Sequence, residues 1–233
     1  MTVDRDIVAT LEKVTTATLT TLMLKKGLRN VWMRGTRPLD PAQARVVGRA
    51  FTLRFVPARE DLATPESWSK PVSTRAAIEA MPEGCVCVAD AMGVTDAGIF
   101  GDILCARMGK RGVAGLVTDG ALRDAAAVRA TGLPVWCAGA AAPPSVGALT
   151  FVGWGEPIGC GGVAVLPDDW IVADGDGAVV VPAALIEPMV AEAPGQERLE
   201  AWIMGEVENG HVLPGLYPPD AQNRARYEKG RQG

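Results

Sequence analysis

Residues 85–134 read CVCVADAMGVTDAGIFGDILCARMGKRGVAGLVTDGALRDAAAVRATGLP. Cys85 to Ala89 is a short β-branched run set off by the turn Pro82-Glu83-Gly84, which predicts a strand. Gly93, Gly98 and Gly101 then form a glycine-rich approach to a helix from about Asp102 to Lys110. A second apolar strand, Gly115 to Thr118, ends in the turn Asp119-Gly120. Arg123 and Asp124 open another helix, which runs to Thr131 and is closed by Gly132 and Pro134. Strand alternating with helix is the signature of an α/β architecture. Within the first strand Cys85 and Cys87 alternate with Val86 and Val88, so both thiols belong to one face of a buried strand.

Working outward, Val46 to Val56 (VVGRAFTLRFV) predicts a long strand that stops at Pro57, and Ser73 to Met81 predicts a helix. Apolar positions from Ile7 to Lys26 recur at helical spacing, and Gly27 stands where a helix would stop, so one N-terminal helix is expected. Short strands are expected at Val163 to Leu166, Trp170 to Ala173 and Ala178 to Val181, as a β-rich layer packed on the α/β part. A last helix is read from Pro194 to Glu208, followed by a Pro/Gly-rich tail from Pro214. With 233 residues, 48% of them hydrophobic, and no internal repeat or clean linker, a single domain over residues 1–233 is the default.

Composition excludes several functions. A net charge of −4 offers no global positive field, so nucleic acid is not an expected partner. The basic run Arg224, Arg226, Lys229 and Arg231 reads as a solvated end. The N-terminus lacks a signal-peptide pattern and no run of about 18 apolar residues occurs, so a cytoplasmic protein without a membrane partner is expected. Five cysteines without a CxxC pair read as reduced packing residues. His211 is the sole histidine, leaving histidine-rich zinc sites and a Ser-His-Asp triad without material. No nucleotide-binding glycine motif is present. Seventeen arginines against six lysines favour recognition of carboxylates by planar guanidinium groups.

What remains is carboxylate, arginine and glycine-rich backbone. Asp102 is separated by twenty residues from the adjacent pair Arg123-Asp124. Gly101 before a helix N-terminus leaves the amides of Gly101, Asp102, Ile103 and Leu104 available to an anion. Each residue also has an ordinary reading: Asp102 as a helix cap, Asp124 as a first-turn acid, Arg123 as a surface charge.

The run GDILCARMGKRGVAGLVTDGALRD, with PVWCAGAAAPPS, PIGCGGVAVLPDDWIVADGDGAVVVP, TTATLTTLM and RPLDP, resembles the family of 4-hydroxy-4-methyl-2-oxoglutarate/4-carboxy-4-hydroxy-2-oxoadipate aldolases and the regulator of ribonuclease activity A (RraA-like). The resemblance covers about residues 10 to 210. It implies an α/β fold, layered α/β/α and swivelling-domain-like, with a β-rich core, in a homotrimer or homohexamer with sites between subunits. It also implies a divalent metal, Mg2+ or Mn2+, held by Asp124. By the same resemblance Arg123 contacts a 2-oxo acid substrate, the amides of Gly101 to Leu104 hold its carboxylate, and Asp102 orients water at the metal or assists proton transfer. A glutamate from a neighbouring subunit completes the site; Glu200 is the first candidate and Glu197 the second.

The chemistry suits these residue types. Cleaving the C3–C4 bond of a 4-hydroxy-2-oxo acid needs a base for the C4 hydroxyl and a sink for negative charge on the C2 oxygen. Loss of carbon dioxide from oxaloacetate forms the same enolate, so decarboxylation is a natural second activity. The resemblance leaves two other functions open, a non-catalytic protein-binding regulator of a ribonuclease and a lyase or hydratase on sugar-derived 2-oxo acids. The charged loop 51–70, with Arg54, Arg59, Glu60 and Asp61, reads either as a solvated loop or as a substrate-selecting lid. Departures from the family pattern lie at Thr20-Thr21 and Pro167-Asp168-Asp169. The acidic turns around Asp168 and Asp174 lack the ligand order of a calcium loop.

Overall fold

The computed structural model describes residues 2–230. In chain order its elements are α1 (Thr2–Leu11), α2 (Thr16–Lys25), β1 (Trp32–Met33), β2 (Arg37–Pro38), β3 (Val46–Pro57), α3 (Thr74–Ala80), β4 (Val86–Asp90), α4 (Asp102–Lys110), β5 (Gly115–Thr118), β6 (Ala121–Leu122), α5 (Ala125–Ala130), β7 (Val135–Cys137) and β8 (Gly139–Ala140). There follow β9 (Leu149–Trp154), β10 (Ile158–Cys160), β11 (Val163–Val165), β12 (Trp170–Asp174), β13 (Gly177–Val181), α6 (Ile186–Glu208) and α7 (Ala221–Gly230).

β3 organises the main sheet, whose order is β1-β13-β12-β3-β4-β5-β7-β2 with β9 also on β3. Residues 46–49 pair antiparallel with β12, whereas residues 50–54 pair parallel with β4. β4, β5 and β7 continue in parallel. Parallel neighbours need crossover helices, and the strand-helix alternation of residues 85–134 supplies α4 and α5. The fold is therefore α/β.

Strand parity sorts the side chains into two buried faces. On one face Cys85, Cys87 and Ala89 pack with Leu116, Val135, Cys105, Met108 and Val128, burying α3, α4 and α5. The same face further along carries Trp170, Val172, Val179 and Val181 against α1, α2 and α6. The opposite face, with Val86, Val88, Val117, Trp136, Ile171 and Val180, is covered by Ile158, Cys160, Val163 and Val165 of the β10–β11 hairpin. The layer beyond the sheet is thus β rather than the second helical layer of an α/β/α arrangement. The shared face of Cys85 and Cys87 is as the CVCV alternation predicts.

Four sequence expectations are corrected. The N-terminal helix is two helices bent by 106°, because Thr15 caps α2: Thr18 N–H donates to its hydroxyl oxygen at 3.1 Å. The short strands β12 and β13 are not a separate layer; they extend the main sheet through β3. The last helix starts at Ile186, eight residues early, and carries Pro194 inside it. The Pro/Gly-rich tail includes α7, where Arg226 pairs with Glu206 and lies over Trp202; Arg231 lies outside the described residues.

Among the described residues no single helix is long and apolar enough to cross a membrane; α1 and α2 reach that composition only as a bent pair. The apolar side chains of α2, Leu19, Leu22 and Met23, are buried against the sheet and α6. Asp169 and Asp174 are consumed as turn and helix acceptors, from Leu166 and Ala183 in one case and Thr16 in the other.

Candidate functional site at the start of the fourth helix

Two extended segments run side by side to build the site. Gly98 bridges Ala121, Ile99 N–H donates to Ala121 O at 3.0 Å, and Arg123 N–H donates to Phe100 O at 2.9 Å. This approach requires glycine: a Cβ on Gly98 would lie 2.6 Å from Arg123 N. Phe100, buried in the core, anchors the first segment just before α4. The twenty-residue separation is thereby closed, and Gly101 meets Arg123-Asp124 across the ladder.

Gly101 is the residue before α4 and has no side chain to cap it. A Cβ there would stand 2.8 Å from Asp124 Oδ2 and 3.2 Å from Arg123 Cγ. Helix geometry leaves the first amides of α4 without intrahelical partners. One of them is taken: Ile103 N–H donates to Asp102 Oδ1 at 2.8 Å. Asp102 and Leu104 keep free positions in the first turn, and the Ile103 side chain projects into solvent. The Arg107 guanidinium forks onto Glu79 at 2.7 and 2.8 Å, fixing α4 against α3.

Asp124 occupies the left-handed region, with φ 56° and ψ 36°, at the N-terminus of α5. Aspartate tolerates that conformation better than most residues, but it still carries strain. Its carboxylate makes no capping bond to α5 and is half exposed. Arg123 Nε lies 3.3 Å from Asp124 Oδ2, yet its direction gives no hydrogen bond and the atom is buried without one. The Arg123 side chain and a carboxylate not spent on its helix therefore border the same space.

That space is a cavity of about 300 Å³ lined by Leu122, Arg123, Asp124, Ala140, Ala141 and Ala142. The alanine wall is held by β6–β8 pairing of Leu122 with Ala140 and by Ala141 N–H donating to Leu122 O at 2.8 Å. Sequence reading missed this wall, since alanines carry no chemical signal. The charged loop 51–70 supplies none of the lining; Arg59 pairs with Asp61, and Arg54 with Glu156.

The two candidate glutamates sit elsewhere in the chain. Both are on α6, which packs with α1 and α2 rather than with α4. Glu197 Oε1 accepts from Thr15 N–H at 2.7 Å and from the Thr15 hydroxyl at 2.9 Å. Burial alone would raise its pKa, but the Thr15 amide and the Thr18 and Thr15 hydroxyls outweigh burial and hold it low. It is spent on joining helices. Glu200 accepts from Gln196 at 2.7 Å and is only half buried.

A larger crevice of about 650 Å³ lies by Arg34, Asp90 and Asp119. Its carboxylates are already engaged by backbone. Asp119 accepts from Ala91 and Gly161 amides, and Asp90 from Met92 and Gly159. Burial raises the pKa of Asp119, which ties the loop after β4 to the β10–β11 hairpin.

Among the described residues no three histidine, cysteine, aspartate or glutamate side chains converge as a metal cluster. Magnesium needs only one or two carboxylates because it keeps several waters. Asp124, with its unspent carboxylate and the glycine-made room beside Oδ2, fits such a minimal site.

An α/β sheet with a helix N-terminus set against an Arg-Asp turn defines the class of this protein. Within that class the chain belongs to the RraA-like family, whose Aldolase/RraA model matches residues 15–180. It is 36% identical to Streptomyces coelicolor RraAS2, described as "an unusual member of the RNase ES inhibitor RraA protein family", over 84% of this chain and 94% of that one, with a TM-score of 0.75. A Halalkalibacterium halodurans protein named "Putative 4-hydroxy-4-methyl-2-oxoglutarate aldolase" is 38% identical over 122 residues, 51% of this chain. The match spans 56% of that relative's length. A Thermus thermophilus protein of the same name is 34% identical over 60% of this chain and 77% of its own length.

Proposed function

We propose that the chain is a divalent-metal-dependent lyase that cleaves 4-hydroxy-2-oxo acids to pyruvate and also decarboxylates oxaloacetate. The observation that carries this reading is the meeting of Arg123 and Asp124 with the open N-terminus of α4 at Gly101. The names of the two aldolase relatives support it.

Asp124 would hold Mg2+ or Mn2+, which when bound draws off negative charge developing at the C2 oxygen. Arg123 would place its guanidinium beside that oxygen and the adjoining carboxylate. The free amides of Asp102 and Leu104 would orient the carboxylate, aided by the helix dipole. Asp102 would take or relay the C4 hydroxyl proton through water with its Oδ2, its Oδ1 being held by the Ile103 N–H. Glu200 would enter from a neighbouring copy in a homotrimer or homohexamer, because within one chain it belongs to another helical group. Purified protein with magnesium should release pyruvate from a panel of 4-hydroxy-2-oxo acids. Release unaffected by EDTA and by Asp124→Ala would sink the reading.

The likeness to the S. coelicolor ribonuclease-inhibitor relative favours a second reading, a protein-binding regulator. A stoichiometric ribonuclease partner in a pull-down, with no turnover of any 2-oxo acid, would select it.

A further inference from the structure

We infer that Asp119 is a positioning residue for the site: its carboxylate is the first rung of the ladder that sets Gly101 against Arg123-Asp124. The inference rests on the lyase reading for its effect on turnover, but on bonds within one chain for its geometry.

β4 ends at Asp90 and β5 at Thr118. The segment 91–101 that leads to α4 lies outside the main sheet. Asp119 is where the two departing chains meet again. Its Oδ1 accepts from Ala91 N–H at 2.8 Å, and its Oδ2 from Gly161 N–H at 3.0 Å. The next residue, Gly120, has no room for a side chain, since a Cβ would stand 2.5 Å from that of Ala91. Beyond it Ala121 N–H donates to Val94 O at 3.2 Å, Ile99 N–H to Ala121 O at 3.0 Å and Arg123 N–H to Phe100 O at 2.9 Å. Asp119 and Arg123 are the two ends of one zipped pair of segments, and Asp124 is the next residue on.

The first rung needs a carboxylate. Ionised, it is acceptor-only, so each oxygen takes one N–H. An amide of the same shape would turn its NH2 toward one of those donors and leave it unpaired. Asp119 is only 7% exposed, so water replaces the lost bond poorly. These bonds join buried or part-buried atoms of a single chain, and they do not depend on what a neighbouring copy or a divalent cation adds at the open face. Asp90 supplies the comparison. It borders the same crevice and ties the same loop to the β10–β11 hairpin, accepting from Met92 and Gly159 N–H. Yet it belongs to β4 rather than to the segment 119–124.

Hydrogen exchange, read by mass spectrometry in peptides covering 96–101 and 119–124, tests the geometry. The variants are Asp119→Asn, Asp119→Ser against a folding failure of the first, and Asp90→Asn. Both Asp119 variants are expected to speed exchange in these two segments about tenfold or more, with 86–89 and 115–118 as slow as in wild type. Asp90→Asn is expected to leave 96–101 and 119–124 at the wild-type rate. Unchanged exchange there in a folded Asp119 variant, equal acceleration in 86–89 and 115–118, or the same acceleration in Asp90→Asn would overturn the inference. Loss of the whole fold in both Asp119 variants would overturn it too, by making Asp119 a residue of general stability. Pyruvate release from a 4-hydroxy-2-oxo acid with magnesium then reads the reaction. In the Asp119 variants kcat is expected to fall about ten- to a hundredfold while KM changes by less than about threefold. Wild-type turnover with kcat unmoved in those variants counts against the inference. Absent release from wild type, with the exchange pattern as expected, removes the lyase reading and leaves the ladder's dependence on Asp119 standing.

Discussion

Gly101 leaves vacant the place where a Cβ would stand 2.8 Å from Oδ2 of Asp124. The glycine at the head of α4 and the carboxylate at the head of α5 are thus mutually dependent. Gly101 has φ −119°, a value alanine adopts without strain. Gly101→Ala should therefore leave the melting temperature nearly unchanged while displacing the Asp124 carboxylate. Pyruvate release is expected to fall roughly a hundredfold, the usual scale for a misplaced group. Wild-type turnover in the folded variant would count against the site.

Gly98→Ala tests the scaffold instead. Its Cβ would meet backbone, Arg123 N at 2.6 Å, which cannot swing away as a carboxylate can. The ladder should open, costing about 1–3 kcal/mol as overpacking does. Chemical denaturation would measure it.

Asp124→Asn keeps the shape and removes the charge. Since the carboxylate does not cap α5, stability should hold. Metal-stimulated turnover should drop by about a hundredfold or more, and the wild-type enzyme should lose activity in EDTA and regain it with added magnesium.

Glu197 and Glu200 should separate cleanly. Glu197→Gln weakens the link to Thr15 at the head of α2, with a cost of about 1 kcal/mol typical of a lost cap. Because the folded pKa of Glu197 is held low, the unfolded chain takes up the proton first as pH falls. Its stabilisation is complete above the ordinary glutamate range and is lost as pH drops through the lower folded value. The variant should show a flatter acid limb in stability measured against pH. Glu200→Gln should leave the melt alone and lower turnover, and a mixture with Asp124→Asn should recover activity if the two residues act across subunits.

All five cysteines are buried, and burial pushes Cys85 and Cys105 up to about 12. Thiolate is the reactive form. Ellman's reagent at mildly alkaline pH should find no thiol in the folded protein and five after denaturation.

The middle of the chain was legible because each of its elements is short, bounded by glycine or proline, and packs against its sequence neighbours. The strands β4 and β5 and the helix α4 read correctly for that reason, whereas β6 went unread and α5 begins at Ala125 rather than at Arg123, which pairs with Phe100 instead. The break at Thr15 was not legible: helical spacing runs through it, and the carboxylate that holds it is 182 residues away. β12 and β13 were visible as strands, but their partner β3 is a tertiary choice that alternation does not encode. Pro194-Gly195 read as a helix start, whereas packing of Ile186, Met189 and Ala193 carries α6 through it. At the site, Gly101, Asp102, Arg123 and Asp124 announced themselves chemically, while Ala140 to Ala142 stayed silent until the cavity had a shape.

β3 belongs to both halves of the sheet, and during synthesis those halves arrive far apart in time. Its first residues pair with β12, which begins at Trp170. At ~5–20 residues per second the ribosome needs about 5–25 s to travel from the end of β3 to that partner. For that interval the nascent sheet has an open edge, presenting Val46 and Val47 with no strand beside them, and such an edge invites pairing with other chains. The same strand that unites the mature molecule makes its birth the moment when chaperone protection counts most.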